Sequence, residues 1–163
     1  MTMRSPRFPF MPLLVTSAAI VGTALGSQYL GGLSPCELCL LERWPYYLTI
    51  VATAFGFAAR GHSAPRFFAM WLIVLLFAAS TCLAAYHVAV EQHWIEGPTA
   101  CTGGLGQASS PDQLLQMLQA RQPVQCDVVQ WSMFGISLAG LNLIASVLLL
   151  FYGFVMARRG DVS

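Results

Sequence analysis

The sequence predicts an all-α, polytopic membrane four-helix bundle with a short amphipathic helix in its second outward loop. Three observations carry that expectation. Hydrophobic residues fill 56% of the 163 positions and charged residues 9%, against about 25% charged in an ordinary soluble domain. No charge occurs between Arg7 and Glu37, Arg43 and Arg60, Arg66 and Glu91, or Asp127 and Arg158. Each gap holds apolar sequence on the scale of a transmembrane helix, about 20 residues. These runs lack period-two alternation, and in lipid only helices or closed barrels satisfy the backbone. The same balance excludes a disordered chain. All eight basic residues are arginine and the formal net charge is +1, too little to favour nucleic acid. The whole chain, 1–163, is read as a single membrane domain.

The expected spans run roughly over 10–30, 44–60, 67–89 and 133–156. The first has two arginines before it and small residues at Ala24 and Gly26, so it resembles a cleavable signal. Its apolar stretch is long for one and leads directly into the next span. The uncharged run after Arg43 is only 16 residues, about 24 Å of helix against a hydrocarbon core of about 30 Å. Arg43 is therefore expected at the outer interface, with Trp44, Tyr46 and Tyr47 as an aromatic belt. The third span, almost wholly apolar from Phe67 to Tyr86, is the clearest. Four spans place both termini and the 60–66 loop on one side. That side carries Arg4, Arg7, Arg60, Arg66, Arg158 and Arg159 against Asp161 alone. The other carries Arg43 and Arg121 against Glu37, Glu42, Glu91, Glu96, Asp112 and Asp127. By the positive-inside rule the termini are cytoplasmic and the loops 31–43 and 90–132 face outwards.

Five cysteines are present, and Cys36, Cys39, Cys101 and Cys126 lie in those two loops. An outward compartment permits disulfides. Of three possible pairings, one bridge per loop is the natural one. A structural staple suits Cys101–Cys126, which would close a long loop. It suits Cys36–Cys39 poorly, because a bridge across two residues removes little chain entropy. Redox activity is the favoured reading of the CxxC. A metal is the least favoured, because zinc commonly takes four converging ligands and the second pair is widely split. Ser34-Pro35-Cys36-Glu37 reads as a helix start, with Ser34 as cap, Pro35 first, and Glu37 closing a capping box. Both cysteines then sit near a positive helix end that favours thiolate. Arg43, four residues beyond Cys39, shares its face and supplies a fixed cation. A redox cysteine at lipid depth beside a cation suits a lipid-soluble two-electron acceptor, and a quinone is the obvious one. Pro45 must kink this helix or begin a new one.

In the second loop, Gly103, Gly104 and Gly106 make the chain after Cys101 pliable. Ser110-Pro111 then opens an amphipathic segment to Ala120, with Leu114, Leu115, Met117 and Leu118 on one face. It is too short to span and is expected along the membrane surface or against the bundle. His62 is cytoplasmic and idle, and His93 interfacial. His87, where the third span meets the outer interface, is either a satisfied interfacial side chain or a group facing a quinone carbonyl. Cys82 is expected as a small buried apolar residue.

These residues resemble the disulfide bond formation protein B (DsbB) family. The resemblance rests on Pro35-Cys36-Glu37-Leu38-Cys39-Leu40-Leu41-Glu42-Arg43, the Cys101/Cys126 pair, Gln130-Trp131 and Phe134-Gly135. It covers nearly the whole chain. Its entry to the fourth helix, Ser137-Leu138-Ala139-Gly140, lacks a proline common in the family. The resemblance implies a bacterial inner-membrane dithiol:quinone oxidoreductase. Its partner is a periplasmic DsbA-like thiol oxidase, and its electron acceptor is ubiquinone or menaquinone. The quinone-site arginine maps to Arg43, and a family histidine to His87. Electrons then enter at Cys101–Cys126, most naturally at Cys101. They pass by Cys126 attack on Cys36 and leave from Cys39. Two rivals are a vitamin K epoxide reductase-like enzyme, whose CxxC normally lies late in the chain, and a non-enzymatic scaffold with two structural disulfides.

Overall fold

The computed structural model describes residues 9–59, 62–98, 110–112 and 125–159. Four long helices dominate: α1 (Phe10–Tyr29), α2 (Glu37–Ala58), α3 (Ser63–Glu91) and α4 (Leu138–Arg158). Of these, α1, α3 and α4 are long and apolar enough to cross a membrane, while α2 carries Glu37, Glu42 and Arg43 in its first two turns. The helices alternate in direction. At one end the start of α1 meets the end of α2, where a Cβ on Gly56 would fall 2.7 Å from the Phe10 ring. There the start of α3 joins them, with the Arg66 guanidinium 5.7 Å from the Phe10 centroid. At the opposite end the first turns of α2 meet the ends of α1 and α3 and the start of α4.

The bundle is apolar outside and partly polar within. Leu48, Val51, Phe55, Leu75, Leu148 and Phe151 lie exposed on its flanks, whereas Ser17, Thr49, Thr53, Ser80 and Ser146 are fully buried. That arrangement fits lipid, where apolar surface gains nothing by hiding and small polar residues let helices approach. The remaining interior is a cluster of Phe10, Leu13, Met70, Ile73, Phe77 and their neighbours.

Several element boundaries differ from the expectations. The second helix starts at Glu37 and runs unbroken through Pro45. The missing proline N–H removes one bond to the Leu41 carbonyl, and packing of the buried Pro45 holds the helix on course. The third helix begins at Ser63, so Arg66 is a buried first-turn residue. Pro65 is tolerated there because the first-turn N–H groups have no intrahelical partner. Before α4 the chain forms a two-residue hairpin, β1 (Ser132–Met133) with β2 (Ile136–Ser137), pairing Ser132 with Ser137 and Met133 with Ile136. Phe134 and Gly135 make its turn at φ 54° and 82°, the double positive φ of a type I′ turn, which matches strand twist. The fourth helix therefore starts at Leu138, not near 133. Ser137 caps it without a proline: its Oγ accepts from the Gly140 N–H at 3.1 Å and donates to the Glu91 carboxylate. Cys82 is exposed on the flank of α3 rather than buried. Of the expected amphipathic segment, only Ser110, Pro111 and Asp112 are described, the last two helical. The rest lies outside the described residues.

Candidate redox site

The local fold starts from Cys36. It, not Ser34, is the N-cap of α2, and its Sγ accepts from the Cys39 N–H at 3.1 Å. The expected capping box is therefore replaced by a cap that is itself a redox atom. Cys39, in the first turn, forms a disulfide with Cys36, with Cα atoms 5.1 Å apart. Cys36 is buried and Cys39 half-buried. Leu38, Val90 and Cys126 pack with Cys36 in one buried cluster, with Cys39 and Tyr86 against it. Cys126 is also disulfide-bonded. Cys101 lies outside the described residues, as do Gly103, Gly104 and Gly106. The sequence-predicted Cys36, Cys39 and Cys126 are thus brought together.

Behind Cys36 runs a buried polar chain that the sequence reading missed. The His87 Nε2 lies 3.7 Å from Cys36 Sγ, and its Nδ1 lies 2.9 Å from Glu42 Oε1. Both side chains are almost fully buried, His87 3% and Glu42 7% exposed. Asn142 Nδ2 donates to Glu42 Oε2 at 2.8 Å, and Tyr46 Oη donates to Asn142 Oδ1 at 2.6 Å. The Tyr46 oxygen also meets Ser146 Oγ at 2.9 Å, which meets Ser80 Oγ at 2.9 Å. Tyr46 has one proton, spent on Asn142, so Ser146 donates to Tyr46 and Ser80 to Ser146. Every donor then points towards Glu42. A carboxylate accepting at both oxygens takes an Nδ1–H from His87, and Nε2 faces Cys36. A buried carboxylate survives only when so satisfied.

Helical spacing explains the division of labour. Leu38, Glu42 and Tyr46 recur every four residues on the inward face of α2. Tyr46 is therefore interior rather than part of an aromatic belt, while Trp44 is exposed and Tyr47 half-buried. Cys39 and Arg43 share the adjacent face, towards α1. There the Arg43 guanidinium donates to Gln28 Oε1 at 2.6 Å and to the Ala24 carbonyl at 3.4 Å. Glu42 and Asn142 had one available signal. An ionisable residue at membrane depth is expected to face the bundle interior and find a partner.

Cys36, Cys39, Cys126, His87, Glu42, Asn142, Tyr46 and Arg43 border one cavity of about 600 Å³, walled also by Ile20, Ala24, Trp131 and Leu141 among others. Its volume is that of a small-molecule pocket, mostly apolar with a few placed polar groups. A four-helix membrane bundle holding a cap-position CxxC, a second bonded cysteine and an apolar cavity beside them defines a membrane thiol-redox protein. The comparisons make the class specific. The sequence matches the family described as "Disulfide bond formation protein DsbB" over residues 6–156, and the chain belongs to that family. It is 27% identical to the disulfide bond formation protein B of Aromatoleum aromaticum, over 95% of this chain and 94% of that protein. It is also 27% identical to disulfide bond formation protein B 1 of Pseudomonas aeruginosa, over 98% and 99% respectively. An uncharacterized protein of Rickettsia prowazekii, RP370, is 25% identical over 94% and 90%. The protein is a membrane protein of disulfide bond formation with redox-active cysteines.

Proposed function

We propose that the protein is a protein-dithiol:quinone oxidoreductase of the bacterial inner membrane. Its termini are cytoplasmic and its cysteine loops periplasmic. A reduced DsbA-like oxidase attacks the Cys101–Cys126 disulfide at Cys101, and resolution releases the partner as a disulfide. The loop dithiol is reoxidised when Cys126 attacks Cys36, Cys39 departs as thiolate, and Cys101 then attacks Cys126 to release Cys36. Each exchange moves one disulfide and two electrons without net change in sulfur bonding. Two electrons then pass from the Cys36/Cys39 dithiol to a ubiquinone or menaquinone, and two protons accompany them.

The observation that carries this reading is the packing of Cys126 against Cys36, with Cys39 and Arg43 bordering the same apolar cavity. A ring with two carbonyls fits such a space, and the guanidinium donors of Arg43 that have no partner among the described residues suit a carbonyl oxygen. His87 holds Nε2 towards Cys36, which positions it to take a thiol proton once the pair is reduced. Glu42 fixes its tautomer.

The direct test is turnover. Purified protein in detergent, given a reduced DsbA-like protein and a soluble quinone, is expected to oxidise the dithiol continuously as the quinone absorbance falls. Well-folded protein that consumes no quinone would leave only a scaffold with structural disulfides.

A further inference from the structure

The geometry points to a zinc site that exists only when the Cys36–Cys39 pair is reduced: Cys36 Sγ, Cys39 Sγ and His87 Nε2 as ligands, with the fourth position open to the cavity. Cys36 Sγ, Cys39 Sγ and a ring nitrogen of His87 lie within 4.8 Å of one another. In a tetrahedral site with Zn–S about 2.3 Å and Zn–N about 2.0 Å, an S–N edge spans about 3.5 Å and an S–S edge about 3.8 Å. The Cys36 Sγ to His87 Nε2 distance is already 3.7 Å. The two sulfurs must separate, which breaking their bond allows, and Cys39 Sγ starts within 4.8 Å of the ring. CxxC at the start of a helix is a common zinc half-site.

The surroundings of His87 strengthen the assignment. A zinc-bound histidine usually donates its other ring N–H to a carboxylate, which fixes the tautomer and raises ligand basicity. Glu42 occupies that place at 2.9 Å, itself held by Asn142 at 2.8 Å. The histidine is therefore oriented for a metal before any metal arrives. Three protein ligands and one open position is the pattern of a site that keeps room for water or another oxygen ligand.

The chemistry balances simply. A reducing dithiol gives two electrons and two protons to the Cys36–Cys39 disulfide and becomes a disulfide itself. Zn²⁺ then binds the dithiol and displaces two protons, with no change of oxidation state. Oxidation of the pair would expel the ion, because a disulfide offers no thiolate. Bound Zn²⁺ caps both sulfurs, so it holds the reduced pair out of thiol exchange and electron transfer.

The test uses the full chain in detergent with Cys82, Cys101 and Cys126 replaced by alanine, so that Cys36 and Cys39 are the sole thiols. It needs neither quinone nor partner, so its outcome is separate from that of the turnover assay. After reduction with a phosphine, one Zn²⁺ per chain is expected by metal analysis, and none after oxidation. Co²⁺ in its place is expected to show thiolate-to-metal charge-transfer bands. Zn²⁺ is expected to protect both thiols from maleimide until a chelator is added. His87→Ala is expected to weaken binding at least tenfold and change the Co²⁺ spectrum. Glu42→Gln, nearly isosteric and safer for folding, is expected to weaken it by about 10–100-fold. Equal zinc in the oxidised chain would overturn the site. So would affinities unchanged in both variants, which would mean a cation held by cysteines alone.

Discussion

Arg43 separates an anchor from a binding group at the scale of one side chain. Its guanidinium bonds Gln28 and the Ala24 carbonyl on α1, so among the described residues a planar fork with several donors holds two acceptors and retains others. Lysine can reach an interface equally well, but it lacks the fork and hydrates more strongly. Arg43→Lys is therefore expected to insert normally and show a raised KM for quinone in steady-state turnover. An unchanged KM and kcat would leave Arg43 an anchor. Cys39 makes a second such case. In Cys36→Ser, Cys39 is left unpaired at the cavity wall. A new visible charge-transfer absorption is expected once quinone is added, absent when Cys39 is also replaced. The same band in the variant lacking Cys39 would assign it elsewhere.

At the scale of elements, the hairpin and the first turn of α4 set the wall opposite α2. Glu91 at the end of α3 ties down Ser137, and Ser137 caps α4. The turn depends on positive φ at two consecutive residues. Phe134 bears that conformation while 97% exposed, and Gly135 bears it with open space where a Cβ would go. Gly135→Val would therefore meet strain rather than a clash, about 1–2 kcal/mol. A correspondingly lower stability in detergent unfolding is expected, with the Cys36–Cys39 disulfide still formed by thiol counting. No change in stability would mean the turn is not held in this geometry.

For the whole molecule, the proposed function predicts directional electron flow between two cysteine pairs. Replacing Cys126 leaves Cys101 without an internal resolving thiol. A mixed disulfide with the partner is expected to accumulate as a reducible, higher-mass band. Replacing Cys39 leaves the Cys101–Cys126 exchange intact, so a single equivalent of partner is expected to be oxidised without continued turnover. A single-turnover assay without added quinone reads both variants. If the folded Cys39 variant oxidises none, electrons do not enter at the loop pair. Structural staples alone predict neither result, only a loss of about 2–5 kcal/mol for a removed loop disulfide.

Charge spacing alone was enough to read four helices, because lipid penalises both unpaired charge and unpaired backbone. The cysteine pattern was legible for the same reason that sulfur chemistry is local: CxxC at a helix start and Arg43 four residues on are fixed by helical geometry. Folding had to decide what those residues meet. The cap at Cys36 rather than Ser34, the continuation of α2 through Pro45 and the turn at Phe134-Gly135 each depend on packing or on side-chain contacts that local propensity does not encode. Most of all, His87, Glu42 and Asn142 stand 45 and 100 residues apart along the chain in their hydrogen-bonded pairs. Sequence determined that a buried acid must find donors. Only the tertiary structure decided that the donors are an imidazole and an amide, and that the imidazole's remaining nitrogen faces the redox sulfur. The reason is that pairing between helices is set by which faces pack together.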